Sequence, residues 1–150
     1  MLGTESDGIP SGGAGSVVTA ANETIQVDGA DSTGPHALGS GEIEGDLVTV
    51  NLNAANTTGA RADSAGVITL TGSTIRTASA TAPLTSGQTG LVASGAGSTI
   101  GLANGTVAMG PQAGSTAMSN LLAGRAEAGG AIVLTDTAVS TRGGNLGTSN

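Results

Sequence analysis

The sole histidine, His36, stands in the stretch STGPHALGSG, close in sequence to Asp28, Asp31 and several serines. Those residue types are the raw material of a Ser-His-Asp triad, in which an imidazole draws a proton from a serine hydroxyl. A nucleophilic serine has to be presented on a strained elbow such as Gly-x-Ser-x-Gly, and none occurs here, so a solvated loop histidine is expected. One imidazole also cannot support a histidine-rich metal site. Glu42, Glu44 and Asp46 in GEIEGD fall on one side of an extended chain, where three carboxylates could hold calcium through oxygen ligands. The competing and preferred expectation is an acidic, solvent-facing edge that discourages aggregation. The Gly-rich calcium nonapeptide GGxGxD is absent. SGGAGS and SGAGST lack the Lys of a phosphate-binding loop, and no helix pattern follows them, so they read as corners and linkers. The Asn-x-Thr sequons at Asn22, Asn56 and Asn104 arise readily in a chain rich in both residues. No catalytic, cofactor-binding or metal-binding residue is expected, and the chain is read as non-enzymatic.

The elements that carry these side chains are constrained by composition. The 150 residues include no Phe, Tyr, Trp or Cys, and the apolar set is nearly all Ala, Val, Leu and Ile. Without bulky aromatics, any core must be thin and regular. The absence of Cys excludes a disulfide framework, a thiolate metal site and a Cys nucleophile together. Residues 1–63 hold nine acidic groups against Arg61, residues 64–150 hold Glu127 and Asp136 against Arg76, Arg125 and Arg142, and there is no Lys. Such a balance repels phosphate backbones and anionic lipid, so neither nucleic-acid binding nor direct membrane insertion is expected. The start, MLGTESDGIPSGGAGS, lacks the features of a signal peptide, so the chain reads as an internal fragment behind a starting Met.

One outline recurs as ITLTGSTIRT from Ile68, IGLANGTVAM from Ile100 and IVLTDTAVST from Ile132, at intervals of 32 residues. VTAANETIQV from Val18 follows the same outline. Counting the first apolar residue as position 0, position 2 holds Ala20, Leu70, Leu102 and Leu134, and position 7 holds Ile25, Ile75, Val107 and Val139. Apolar residues two apart face one side of a strand. The two apolar sets differ in parity, so the chain must turn between them. Position 4 supplies Asn22, Gly72, Asn104 and Asp136, the residue types that tolerate a left-handed corner. A third apolar patch, GLVA at 90–93 and NLLA at 120–123, adds a third strand to each unit.

Three short strands joined by Gly-rich corners make one turn of a triangular coil, and stacking such coils pairs equivalent strands in parallel. The chain is therefore predicted to be all-β, a right-handed parallel β-helix of about five coils with a main period of 32 residues. Its core ladder would be Ile68, Leu70, Ile75, Ile100, Leu102, Val107, Ile132, Leu134 and Val139. No coil buries its own apolar face, so stability comes from neighbour stacking. Residues 1–15 are expected to be a flexible lead and 16–150 the β-helix. One short coil is placed between Val48 and Ile68, and the segments 10–16, 28–41 and 110–119 are read as surface excursions. STAMSNLLAGRAEA from Ser115 has some helical spacing, but a third strand agrees better with the repeat. Threonine ladders at positions 1, 3 and 9 are each broken in at least one coil, which argues against a flat ice-binding face.

The units GVITLTGSTIRT, GLVASGAGSTIGLANGTVAM and GGAIVLTDTAVSTRGG resemble the pertactin-like parallel β-helix passenger domains of bacterial autotransporters over about residues 16–150. The resemblance implies an extracellular rod on a Gram-negative surface, attached through a C-terminal β-barrel that this chain does not contain. It implies adhesion to host or bacterial surface molecules and no cofactor. The integrin-type tripeptide of some members is absent, RAD at 61–63 being no substitute. A polysaccharide-acting β-solenoid enzyme is the alternative from another class. It would need paired carboxylates in a groove, usually with aromatics to hold sugar rings.

Overall fold

The computed structural model describes residues 6–78, 87–110, 118 and 120–142. Five rungs of three strands follow one another along the chain. The first comprises β1 (Asp7–Gly12), β2 (Val17–Ala21) and β3 (Thr24–Val27), and the second β4 (Thr33–Leu38), β5 (Glu42–Asp46) and β6 (Thr49–Leu52). The third comprises β7 (Thr58–Asp63), β8 (Val67–Thr71) and β9 (Thr74–Thr77), and the fourth β10 (Thr89–Ser94), β11 (Thr99–Ala103) and β12 (Thr106–Met109). The fifth comprises β13 (Leu122–Glu127), β14 (Ala131–Thr135) and β15 (Ala138–Thr141). Corresponding strands form three five-stranded sheets, β1-β4-β7-β10-β13, β2-β5-β8-β11-β14 and β3-β6-β9-β12-β15. Every pairing is parallel. This is a parallel β-helix, as the repeat predicts.

The register corrects the period. Val18 pairs with Ile43, Ile43 with Ile68, Ile68 with Ile100 and Ile100 with Ile132. Two steps are thus 25 residues and two are 32. The basic coil is the 25-residue one, and the longer steps differ at a single corner. Between the third and first sheets, residues 28–32 and 53–57 connect the early rungs, whereas residues 78–88 and 110–121 connect the later ones. The coil placed between Val48 and Ile68 does not exist in that form. Val48 is a buried corner residue, and Val50 pairs with Ile25 and Ile75.

Further corrections fall in the first sheet. β1 lies inside the lead expected to be flexible and pairs with β4 from Asp7 to Gly12, so the stack begins before residue 16. The segments 10–16 and 28–41 are not simple excursions, since residues 10–12 belong to β1 and 33–38 are β4. Leu91 pairs with Gly124, so the alignment of GLVA with NLLA was three residues out of register. β13 is a strand, in keeping with the strand reading of that stretch, while residues 111–117 and 119 of the excursion and helix readings lie outside the described residues.

Each corner after the second sheet takes a left-handed residue, Asn22 (φ 55°), Leu47 (φ 53°), Gly72 (φ 58°), Asn104 (φ 52°) and Asp136 (φ 46°). The bend does not interrupt the ladder. Asn22, Leu47, Gly72 and Asn104 each donate their backbone N–H to the next rung, to the carbonyls of Asp46, Thr71, Ala103 and Thr135, all at 2.9 Å.

Inside the coil, Ile43, Ile68, Ile100 and Leu70, Leu102 are buried from the second sheet, facing Val50, Ile75, Val107 from the third and Ala37, Ala62, Ala93 from the first. Size is matched between columns. Gly45 occupies the position-2 column, where a Cβ would lie 2.6 Å from Leu70 Cδ2, so the Leu70 side chain fills the space that Gly45 leaves. Gly34, Gly59 and Gly90 form a column in the first sheet, pressed against Val50, Ile75 and Val107 and against the carbonyl of the next rung. A side chain there would have to displace backbone. The expected core ladder holds through the fourth rung. In the fifth, Ile132 is half-buried and packs on the core, but Leu134 is 43% and Val139 48% exposed because no described rung covers them.

Candidate functional site

The outward faces carry the polar chemistry. On the first sheet, alternate residues of β4 and β7 point away from the core, which puts His36 beside Arg61 in adjacent strands and Leu38 beside Asp63. His36 is therefore a strand residue with 18% of its side chain exposed, not the solvated loop histidine expected. Its Nε2 lies 3.0 Å from Asp63 Oδ2 in hydrogen-bonding alignment. Its Nδ1 lies 3.0 Å from Asp7 Oδ2 but off the line of a hydrogen bond, and that nitrogen has no other partner among the described residues. Arg61 Nε donates to the same Asp63 oxygen at 2.5 Å. Burial alone would push the Asp63 carboxyl up, but the hydrogen bonds from Arg61 and His36 and their positive charges outweigh it and hold the group below its ordinary 3.8. Asp28 and Asp31 take no part, so the triad is not assembled. Asp28 accepts a hydrogen bond from Asn53 Nδ2 at 2.7 Å, and Asp31 has φ 60° at a corner.

The same arrangement recurs two rungs on, where Arg125 pairs with Glu127 at 3.3 Å in the columns of Arg61 and Asp63. RAD at 61–63 and RAE at 125–127 are thus ion-paired strand segments.

On the second sheet, Glu42, Glu44 and Asp46 line the exposed face of β5. β5 lies between β2 and β8, so the acidic row runs along the face of an inner strand rather than an edge. Thr19 and Thr69 flank Glu44, and Ala21 and Thr71 flank Asp46, around a shallow open groove. The strand spreads the three carboxylates along its length, and among the described residues no cluster of three acidic or histidine side chains is close enough to hold a metal ion.

Two features escaped sequence reasoning. On the third sheet, Thr24, Thr49, Thr74 and Thr106 form an unbroken outward column across four rungs. It becomes visible only once rung two is placed at Ile43. At the third corner, Gln88 is wholly buried. Its Oε1 accepts from Thr77 Oγ1 at 2.7 Å, and its Nε2 donates to the carbonyls of Ala54 at 2.8 Å and Leu52 at 3.3 Å. Thr77 Oγ1 in turn accepts from the Gly110 N–H at 3.1 Å. This polar chain ties the corners of three rungs together where the connections lengthen.

The fold and these faces define a parallel β-helix repeat protein with chemically varied outer surfaces and a polar-stapled corner. Comparison with known protein families, with characterised proteins and with solved structures finds no significant match to this chain.

Proposed function

We propose that the chain is a non-enzymatic structural or adhesive segment of a surface-exposed bacterial protein of the autotransporter-passenger type, a rod that offers lengthened corners to host or bacterial surface molecules. The observation that carries this reading is the placement of residues 78–88 and 110–121. Both lengthened connections fall at one corner of successive rungs, beside the buried Gln88 staple, while the other corners keep nearly constant length. A rod that varies along one line is suited to binding large partners through that line. In this reading the parent protein is held at the outer membrane by a C-terminal barrel and no cofactor is needed.

The test is binding of the purified chain to epithelial and bacterial cells. It is compared with a variant in which residues 79–87 and 111–117 are shortened to match the five-residue connections of the early rungs. Loss of binding with an unchanged β circular-dichroism spectrum supports the reading. Glycan turnover abolished by Glu42→Gln or Glu44→Gln replaces it with the polysaccharide-acting enzyme. The threonine column favours a second reading, ice binding, and thermal hysteresis lost in Thr74→Lys is its test.

A further inference from the structure

We propose that His36 is a pH-dependent latch on the first rung: the protonated ring bridges Asp7 of β1 and Asp63 of β7, and deprotonation releases the Asp7 side. β1 is an edge strand whose sheet partner is β4 alone, so its attachment belongs to the weaker part of the stack. The charged groups that face the ring are Asp7 from β1 and Arg61 and Asp63 from β7. β4 itself carries no other charged side chain. With an imidazolium, these four side chains sum to zero charge. With a neutral ring they sum to −1, and the geometry decides which contact fails.

A neutral imidazole keeps one N–H. The aligned contact is Nε2 to Asp63, so the proton stays there and Nδ1 turns a lone pair toward the Asp7 carboxylate at 3.0 Å. Two acceptors at that distance repel, and Nδ1 is too buried for water to intervene. Asp7, already one-third exposed, turns to solvent. β1 then retains its backbone ladder and the packing of Ile9. Histidine changes charge between pH 5 and 8, so acidification across that range tightens the first rung. The latch does not depend on the adhesive reading.

The test is amide hydrogen exchange of the whole chain at pH 7.5 and pH 5.5, corrected for intrinsic exchange chemistry, in a range where carboxylates stay charged. The reporter is the Gly13 N–H, which donates to the Leu38 carbonyl across β1 and β4, and the control is the Thr106 N–H, which donates to Ser73. The expected result is about threefold to tenfold greater protection of Gly13 at the lower pH, with Thr106 unchanged. His36→Gln and Asp7→Asn should both abolish the difference. Equal protection at the two pH values, or a difference that survives Asp7→Asn, overturns the proposal. Asp7→Asn leaves the ring and the β4–β7 contacts in place, so it decides the matter even where His36→Gln folds poorly.

Discussion

Replacing Gln88 with Leu removes the centre of the polar staple at the third corner. Three hydrogen bonds are lost, to Thr77 Oγ1, Ala54 O and Leu52 O. The two carbonyls are not orphaned, because Ala54 O still accepts from Thr57 Oγ1 at 3.0 Å and Leu52 O from the Ala78 N–H at 3.1 Å. The Thr77 hydroxyl loses a buried acceptor while continuing to accept from Gly110. Three net bonds at about 1 kcal/mol each, set against about 1 kcal/mol gained from the more apolar side chain, give a loss of about 2 kcal/mol. Urea denaturation followed by circular dichroism measures it, with an unchanged m-value showing that the native rungs persist. Thr77→Val breaks the same chain from its other side. The double variant should therefore be less destabilised than the sum of the singles by about 1 kcal/mol. A Gln88→Leu effect within about 0.3 kcal/mol of zero, or strict additivity with Thr77→Val, would refute the reasoning.

Four further outcomes are expected. Asn104→Val puts a β-branched residue at φ 52° on an exposed corner and should cost about 1–3 kcal/mol in the same melt. Gly59→Ala drives a methyl into Ile75 and the Gly90 carbonyl. A cost of about 1–3 kcal/mol is expected, and trimming Ile75 should restore little because half of the obstruction is backbone. Leu102→Ala should cost about 2–5 kcal/mol and Leu134→Ala under about 1 kcal/mol, although they share one column, since the first is 1% and the second 43% exposed. Asp63 titrates below 3.8 when folded, so its stabilising contribution is complete above that value and lost as pH falls through the folded one. Acid titration from pH 5 downward should therefore show a steeper fall in stability for the native chain than for Asp63→Asn.

The coil was legible where each ladder position repeats a residue type. Ile68, Ile100 and Ile132 share a column and set a visible interval, and the corner residues Asn22, Gly72, Asn104 and Asp136 have the left-handed backbone that their chemistry suggests. Rung two was hidden for a physical reason. Its position 2 is Gly45, whose missing side chain is replaced by Leu70 of the next rung, and its corner is Leu47, held at φ 53° by a ladder bond to Thr71 rather than by residue preference. The first sheet was hidden because its interior is lined by Ala37, Ala62 and Ala93, which give little hydropathy alternation. A signal was present in the Thr-Gly-x-x-Ala pattern at Thr33, Thr58 and Thr89, three strands in one register. The histidine cluster was beyond sequence reading because Asp7, His36 and Asp63 are joined only by the 25- and 26-residue steps of that sheet.

The account rests on the stacking register, and a distance across the stack tests it most directly. The chain has no cysteine, so spin labels can be placed on Thr19→Cys and Val133→Cys alone. These residues share one outward column of the second sheet through Glu44, Thr69 and Gly101. Four strand spacings of about 4.8 Å predict a Cα separation of about 19 Å, read as a narrow distance distribution by pulsed electron paramagnetic resonance. A broad distribution centred beyond about 30 Å, as for an unfolded segment of that length, would contradict the parallel β-helix.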